Sequence, residues 1–169
     1  MKKKPVKSSK KGFYFVIVIG AVIIGLVIAV SYHVDQAKIS GQRFGINLEQ
    51  IQADLKKQVS DYESKLTIWQ EGGLTKQDML QISEDHLIEL EKILERYDKL
   101  TPPQVFVPSI ELFKRSTQSQ IESDKLLKEW IETGDNSTKI RSDELVQQSF
   151  EYETSALDSF NSAKRGNAP

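Results

Sequence analysis

Residues 46–73 read INLEQIQADLKKQVSDYESKLTIWQEGG, and their spacing decides the fold. Leu48, Leu55, Tyr62 and Trp69 fall at a constant heptad interval, with Ile51, Val59 and Leu66 between them. Apolar residues so spaced share one face of an α-helix, because about 3.6 residues complete a turn. Gly72-Gly73 ends the stretch, since glycine adopts the left-handed turn that caps a helix without a Cβ clash. The spacing therefore predicts a first helix from about Ile46 to Glu71.

The same pattern returns downstream. Thr75 offers a side-chain oxygen to the free amides of a second helix, and Asp78 puts negative charge in its first turn. Leu80, Leu87 and Leu94, with Leu90, Ile93 and Tyr97 on the neighbouring rows, carry this helix to about Leu100, where Thr101-Pro102-Pro103 stops it. Val105, Phe106 and Val107 form a short apolar linker expected to cover one end of the assembly. Pro108 suits the first turn of a third helix that continues to Thr133. Gly134-Asp135-Asn136-Ser137 makes a turn, and a fourth helix runs from about Thr138 to Lys164 with Leu145, Val146, Phe150, Leu157 and Phe160 inward. No alternating strand pattern competes. The expected class is all-α: an antiparallel four-helix bundle, up-down-up-down, over residues 46–165 and about 37 Å long. Trp69-Gln70-Glu71-Gly72-Gly73 and Trp130-Ile131-Glu132-Thr133-Gly134 stand at matching hairpin corners. Leu87, Leu94 and Tyr97 also align with Phe150, Leu157 and Phe160. Either a duplicated hairpin or shared heptad spacing produces such a match.

Upstream, Phe13 to Val30 is an unbroken run of apolar residues and glycine. As a helix it reaches roughly 27 Å, against a hydrocarbon thickness of ~30 Å. Phe13, Tyr14 and Tyr32 lie at headgroup depth, where aromatic side chains are favoured. Lys2, Lys3, Lys4, Lys7, Lys10 and Lys11 precede the run and no acidic residue does, which places the N-terminus in the cytoplasm. The sequence thus divides into a basic cytoplasmic tail (1–12), a transmembrane helix (13–32), a flexible neck interrupted by Gly41 and Gly45 (33–45), the extracytoplasmic helical domain (46–165) and a disordered tail (166–169). The competing reading is a secretory signal cut after Ser31, but cleaved signals carry shorter apolar cores of about 7–15 residues. Ala21, Gly25 and Ala29 share one helix face, a candidate contact between membrane helices because small residues let backbones approach.

Composition narrows the function classes. The chain carries a net charge of -1, from 23 Lys and Arg against 24 Asp and Glu. With the six N-terminal lysines set aside, the remainder is acidic by about seven charges, opposite to the basic surface that nucleic acid requires. Cysteine is absent, which removes disulfides, thiolate metal sites, cysteine nucleophiles and cysteine lipid anchors. His33 sits at the membrane surface. His86 is expected to flank the stripe of the second helix, with Ser83 where a di-iron bundle would need glutamate. No metal site, cofactor or catalytic set is expected, and Glu49, Asp54, Glu84, Asp85, Glu91 and Glu95 read as solvated helix faces.

Two features remain. The stripe of the third helix thins where Ser116, Thr117, Gln120 and Asp124 occupy inward rows, and Ser149 and Glu153 interrupt the fourth. Pairing about Gly134 would bring Thr117 and Gln120 near Glu153 as a polar layer in the bundle. Such a layer is a small-ligand site, a hydrogen-bonded device that fixes register, or a face left to solvent, since buried polar groups without partners cost a few kcal/mol. Asn136-Ser137-Thr138 is an N-glycosylation acceptor triplet on an expected exposed turn, with Asn136 the modified residue.

Ser119-Gln120-Ile121-Glu122-Ser123-Asp124, Trp130-Ile131-Glu132-Thr133-Gly134-Asp135 and Gln148-Ser149-Phe150-Glu151-Tyr152-Glu153 resemble segments of uncharacterised membrane-anchored helical proteins from archaea. The resemblance covers mainly the second hairpin. It implies a prokaryotic cell-surface setting and brings no activity with it. The layout is also similar to small anchored bundles of the LemA type, without the basic, asparagine-bearing segment of their first helix. The expectation is a single-pass cell-membrane protein whose outer domain is a binding or scaffolding module, not an enzyme. Its partners would be the lipid bilayer and either another envelope protein or further copies of itself as a homo-oligomer. The runner-up is a ligand-sensing bundle acting through a partner's membrane helix.

Overall fold

The computed structural model describes residues 37–166. Its regular structure is entirely helical: α1 (Ala37–Gln70), α2 (Lys76–Tyr97), a 3-10 turn (Gln104–Phe106), α3 (Val107–Thr133) and α4 (Asn136–Lys164). The expected basic tail (1–12), the expected transmembrane helix (13–32) and its Ala21, Gly25, Ala29 face lie outside the described residues. Within them, no helix is long and apolar enough to cross a membrane.

Local chemistry sets the ends. At the start of α2, the Thr75 hydroxyl oxygen accepts from the Asp78 amide while the Asp78 carboxylate accepts from the Thr75 amide, a reciprocal cap. Gly72 and Gly134 both take positive φ, +84° and +77°, at the ends of α1 and α3. Asp135 then caps α4 by accepting from the Ser137 amide.

One boundary departs from the sequence reading. Gly41 and Gly45, expected to interrupt a neck, lie inside α1. Each glycine costs a helix about 1 kcal/mol relative to alanine. Here Phe44 and Leu48 are both buried, so packing on either side of Gly45 offsets the backbone penalty.

Cross-helix contacts show consecutive helices running antiparallel. Tyr62 of α1 meets Ser83 of α2, and Gln52 meets Tyr97 further along. His86 of α2 meets Asp124 of α3, and Tyr97 meets Thr117. The interior holds two apolar clusters. The larger one includes Phe44, Ile51, Leu90, Phe113, Ala156 and Phe160. Its end is covered by Phe106, whose ring lies 5.6 Å from Phe44 and 4.8 Å from Phe160. The smaller one, of Tyr62, Met79, Leu127 and Ile131, sits beneath the two tight turns. There Trp69 and Trp130 meet edge to face at 5.6 Å, so the two hairpin corners share one end of the bundle.

Backbones approach most closely between α3 and α4, and the reason is side-chain size. Ser109, Ser116 and Ser123 recur every heptad along α3, and Ser142, Ser149, Ala156 and Ala163 do so along α4; all are buried. Interaxial distance follows the side chains at the contact, so a seam of serine and alanine lets the axes close up. The larger α4 residues expected inward, Leu145, Val146 and Phe150, are half-buried beside this seam. Leu157 and Phe160 are buried in the larger cluster as expected, while along the rest of α4 the residues that face α3 most directly are the small ones.

Candidate functional site

Between the two apolar clusters the interior turns polar. On α2, the His86 imidazole lies with Nε2 3.0 Å from Oδ2 of Asp124 on α3, both side chains about 5% exposed or less. Gln120, one turn before Asp124, donates from Nε2 to both carboxylate oxygens, at 3.0 and 3.1 Å. The imidazole is stacked on Tyr62 of α1, with 4.1 Å between ring centres and 5° between planes. Ser83 donates to the Met79 carbonyl at 2.8 Å, so the Tyr62 hydroxyl donates to Ser83 Oγ, 2.9 Å away. Burial pushes the Tyr62 hydroxyl up to about 12. Glu63, adjacent on α1 and half-buried, has its carboxyl raised to about 7, first by burial and then by the negative charge of Asp124.

One atom in this layer stands apart. His86 Nδ1 is buried without a hydrogen-bond partner, the only such side-chain atom among the described residues. With Nε2–H given to Asp124, Nδ1 carries an unmatched lone pair in the neutral ring or an unmatched N–H in the charged one.

A second polar chain lies nearer the larger cluster. Gln52 donates to the Tyr97 hydroxyl at 2.6 Å. Thr117 donates to the Phe113 carbonyl at 3.1 Å, so Tyr97 donates to Thr117 Oγ1, also at 3.1 Å. Burial raises the Tyr97 hydroxyl above its ordinary value, and the charge of Glu153 raises it further. Glu153 itself is half-buried on α4. Burial lifts its carboxyl to about 7, against the opposing pull of Lys56 on α1.

The serine seam is a third polar element. Ser149 donates to the Ser116 carbonyl at 2.9 Å, and Ser123 to the Ser142 carbonyl at 2.9 Å. The paired hydroxyls close at 3.1 Å for Ser116–Ser149 and 3.0 Å for Ser123–Ser142.

The expected trio of Thr117, Gln120 and Glu153 is thus divided. Thr117 is fully buried and serves Tyr97, while Gln120 serves Asp124. Neither is hydrogen-bonded to Glu153, whose charge raises the Tyr97 hydroxyl and whose own carboxyl is opposed by Lys56. His86, expected at the flank of its stripe, is buried at the centre. A lone histidine gives no periodic signal, and its partner is supplied by a different helix. Asn136 is exposed, but as the first residue of α4 rather than in a free turn, and the Thr138 hydroxyl of the same triplet is committed to the Asp135 carbonyl at 2.8 Å. Among the described residues no group of three His, Asp or Glu side chains is placed to hold a metal ion.

Chemically, the arrangement buries one acid–base pair, His86–Asp124, between the two apolar clusters. Its hydroxyls are spent on neighbouring carbonyls and hydroxyls, and its ionisable groups face one another. No protein-family model, curated protein or solved structure matches the chain.

Proposed function

We propose that the protein is a membrane-anchored scaffold: an apolar helix over residues 13–32, N-terminus in the cytoplasm, carries an antiparallel four-helix domain outside the cell that docks another envelope protein. The observation that carries this reading is the Phe13–Val30 run with six lysines on one side only. A second support is the use of the interior polar groups for internal hydrogen bonds, which suits a module that presents its outer faces to a partner. Cross-helix pairs such as Lys125–Glu91 at 3.0 Å give those faces a mixed, acidic-leaning charge.

Crosslinking in native membranes with a lysine-reactive reagent, followed by mass spectrometry, tests it. A near-stoichiometric envelope protein joined to lysines of α2 and α3 is the expected product. Recovery of the chain in the soluble fraction, or alone in the membrane, would overturn it.

The buried layer of ionisable groups favours a second reading, a sensing bundle that transmits a change in α1 to a partner's membrane helix. A change in crosslinking pattern on changing solution conditions, with the same partner retained, would separate it from a passive scaffold.

A further inference from the structure

The two ends of the bundle carry opposite charge. At the end where Trp69 meets Trp130, Glu71, Asp78, Glu132 and Asp135 are all exposed, and Lys76 is spent on the Glu132 carbonyl. The other end is the one where the rings of Phe44, Phe106 and Phe160 come together. There Arg43 stands beside Phe44 on α1, Lys99 follows α2, and Lys164 and Arg165 close α4, all exposed. None of these four is held in an ion pair among the described residues. Of the acids on the same turns, Asp98 is already paired with Lys114, which leaves Glu111 and Asp158. A domain that is acidic as a whole thus ends in a basic cap.

The loop that closes this end has an unusual backbone. Phe106 turns inward onto the two neighbouring rings, and Val105 beside it is 47% exposed. Pro102 and Pro103 have no N–H to satisfy. The amides of Leu100, Phe106 and Val107 donate to the carbonyls of Tyr97, Pro103 and Gln104. A loop with most of its amides absent or bonded internally loses little on meeting a layer poor in water.

The same end holds the start of α1. Only residues 33–36 lie between Ala37 and the proposed membrane helix, a length that spans about 18 Å at full extension. The basic cap is therefore tethered close to the membrane surface, while the acidic end stands a bundle length away. Attraction to charged headgroups fades within a Debye length, so it favours the end that is held near.

Resting on the membrane-anchored reading, we propose that the basic cap is a second membrane contact: Arg43, Lys99, Lys164 and Arg165 engage the phosphates of anionic lipid headgroups, and Val105 enters the headgroup layer. The contact stands the bundle upright on the bilayer. It keeps the flanks of α2 and α3 clear of lipid for a protein partner.

The chain has no native cysteine, so single nitroxide labels can be placed on the full-length protein at Val105→Cys or at Ser137→Cys, an exposed position of the opposite end. Collision with a water-soluble nickel complex is then measured in nanodiscs. With phosphatidylglycerol present, the label at 105 should collide severalfold less often than the label at 137. In discs of phosphatidylcholine alone the difference should shrink. Lys99→Glu with Arg165→Glu should return the label at 105 to its aqueous rate, with an unchanged melting temperature to show that the fold is kept. Equal rates at the two positions in phosphatidylglycerol discs, or shielding at 105 that survives the charge reversal, would overturn the contact and leave the anchor standing. A chain that does not enter the discs at all would overturn the anchor and the contact with it.

Discussion

The two hairpins are built to opposite plans. In α3–α4, small residues at a heptad interval bring the backbones together, and the Ser116–Ser149 and Ser123–Ser142 hydroxyl pairs are bonded across the gap. In α1–α2, bulky residues such as Ile51, Leu90, Ile93 and Tyr97 set the spacing, and polar bridges fill the places between them. Short, neutral and fully satisfied contacts make the first pair hard to separate. In the second pair, long side chains and the half-buried Glu63 carboxyl take the place of such a seam. Two helical hairpins of similar length thus differ in what they tolerate.

The sharpest way to break this contrast is at the joint between them. His86→Leu leaves the Asp124 carboxylate buried with only an amide for company, and should destabilise the fold by about 3–5 kcal/mol. The double variant His86→Leu/Asp124→Leu should regain most of that loss, because two apolar groups of suitable size need no partner. Denaturant melts of the two variants check the pair. If the double is no better than the single, the layer is held by packing rather than charge.

Next comes the seam. Ser123→Leu has no room to enter a contact at 0% exposure, and overpacking of this kind costs about 1–3 kcal/mol. Ser123→Ala avoids the overpacking but takes the partner from the buried Ser142 hydroxyl, so it should cost about 1–2 kcal/mol. Val59→Leu, at a half-buried position of α1, should fall below either. The comparison fails if enlarging Val59 does as much damage as enlarging Ser123.

Much of this architecture is legible in sequence for physical reasons. Four helices follow from apolar heptads, and their ends from residues with a single strong conformational or capping preference, such as Gly72, Thr75, Pro108 and Gly134. The seam was obscured because serine counts as polar in any hydropathy pattern: Ser149 looked like a gap in the stripe when it is the stripe. Its signal was present as small residues repeating by heptads on both sides of one turn. The His86–Asp124 pair left no such trace, because its two halves lie 38 residues apart and are joined only by tertiary packing.

Smaller in effect is the response to pH. Glu63 and Glu153 each move from 4.5 in the unfolded chain to about 7 in the folded one, so the folded state holds their protons more tightly. Their contribution is fully present below about pH 4.5 and is lost as pH rises through about 7. The fold should therefore be more stable near pH 5 than near pH 8, by on the order of 1–2 kcal/mol after solvent screening, with a correspondingly higher melting temperature. Glu63→Gln with Glu153→Gln should flatten that profile, and equal melting at both pH values in the parent chain would remove the carboxyls from the account.

The smallest change tests α1 alone. A Cβ at Gly41 meets nothing within 4 Å, so Gly41→Ala should stabilise this end by about 0.5–1 kcal/mol. Slower amide exchange around Phe44 would show it, and an unchanged rate would mean that helix propensity does not limit α1 there.

The repeat that draws α3 and α4 together also makes their alignment degenerate. Each heptad step up α3 from Ser109 is matched by a heptad step down α4 from Ala156, so sliding one helix by a whole heptad would again set small residue against small residue. Nothing in the periodicity itself distinguishes those alignments. What breaks the tie is the brevity of the Gly134-Asp135 link, which has no slack to let out. The seam acts as a ruler with identical graduations, and the turn is its zero mark.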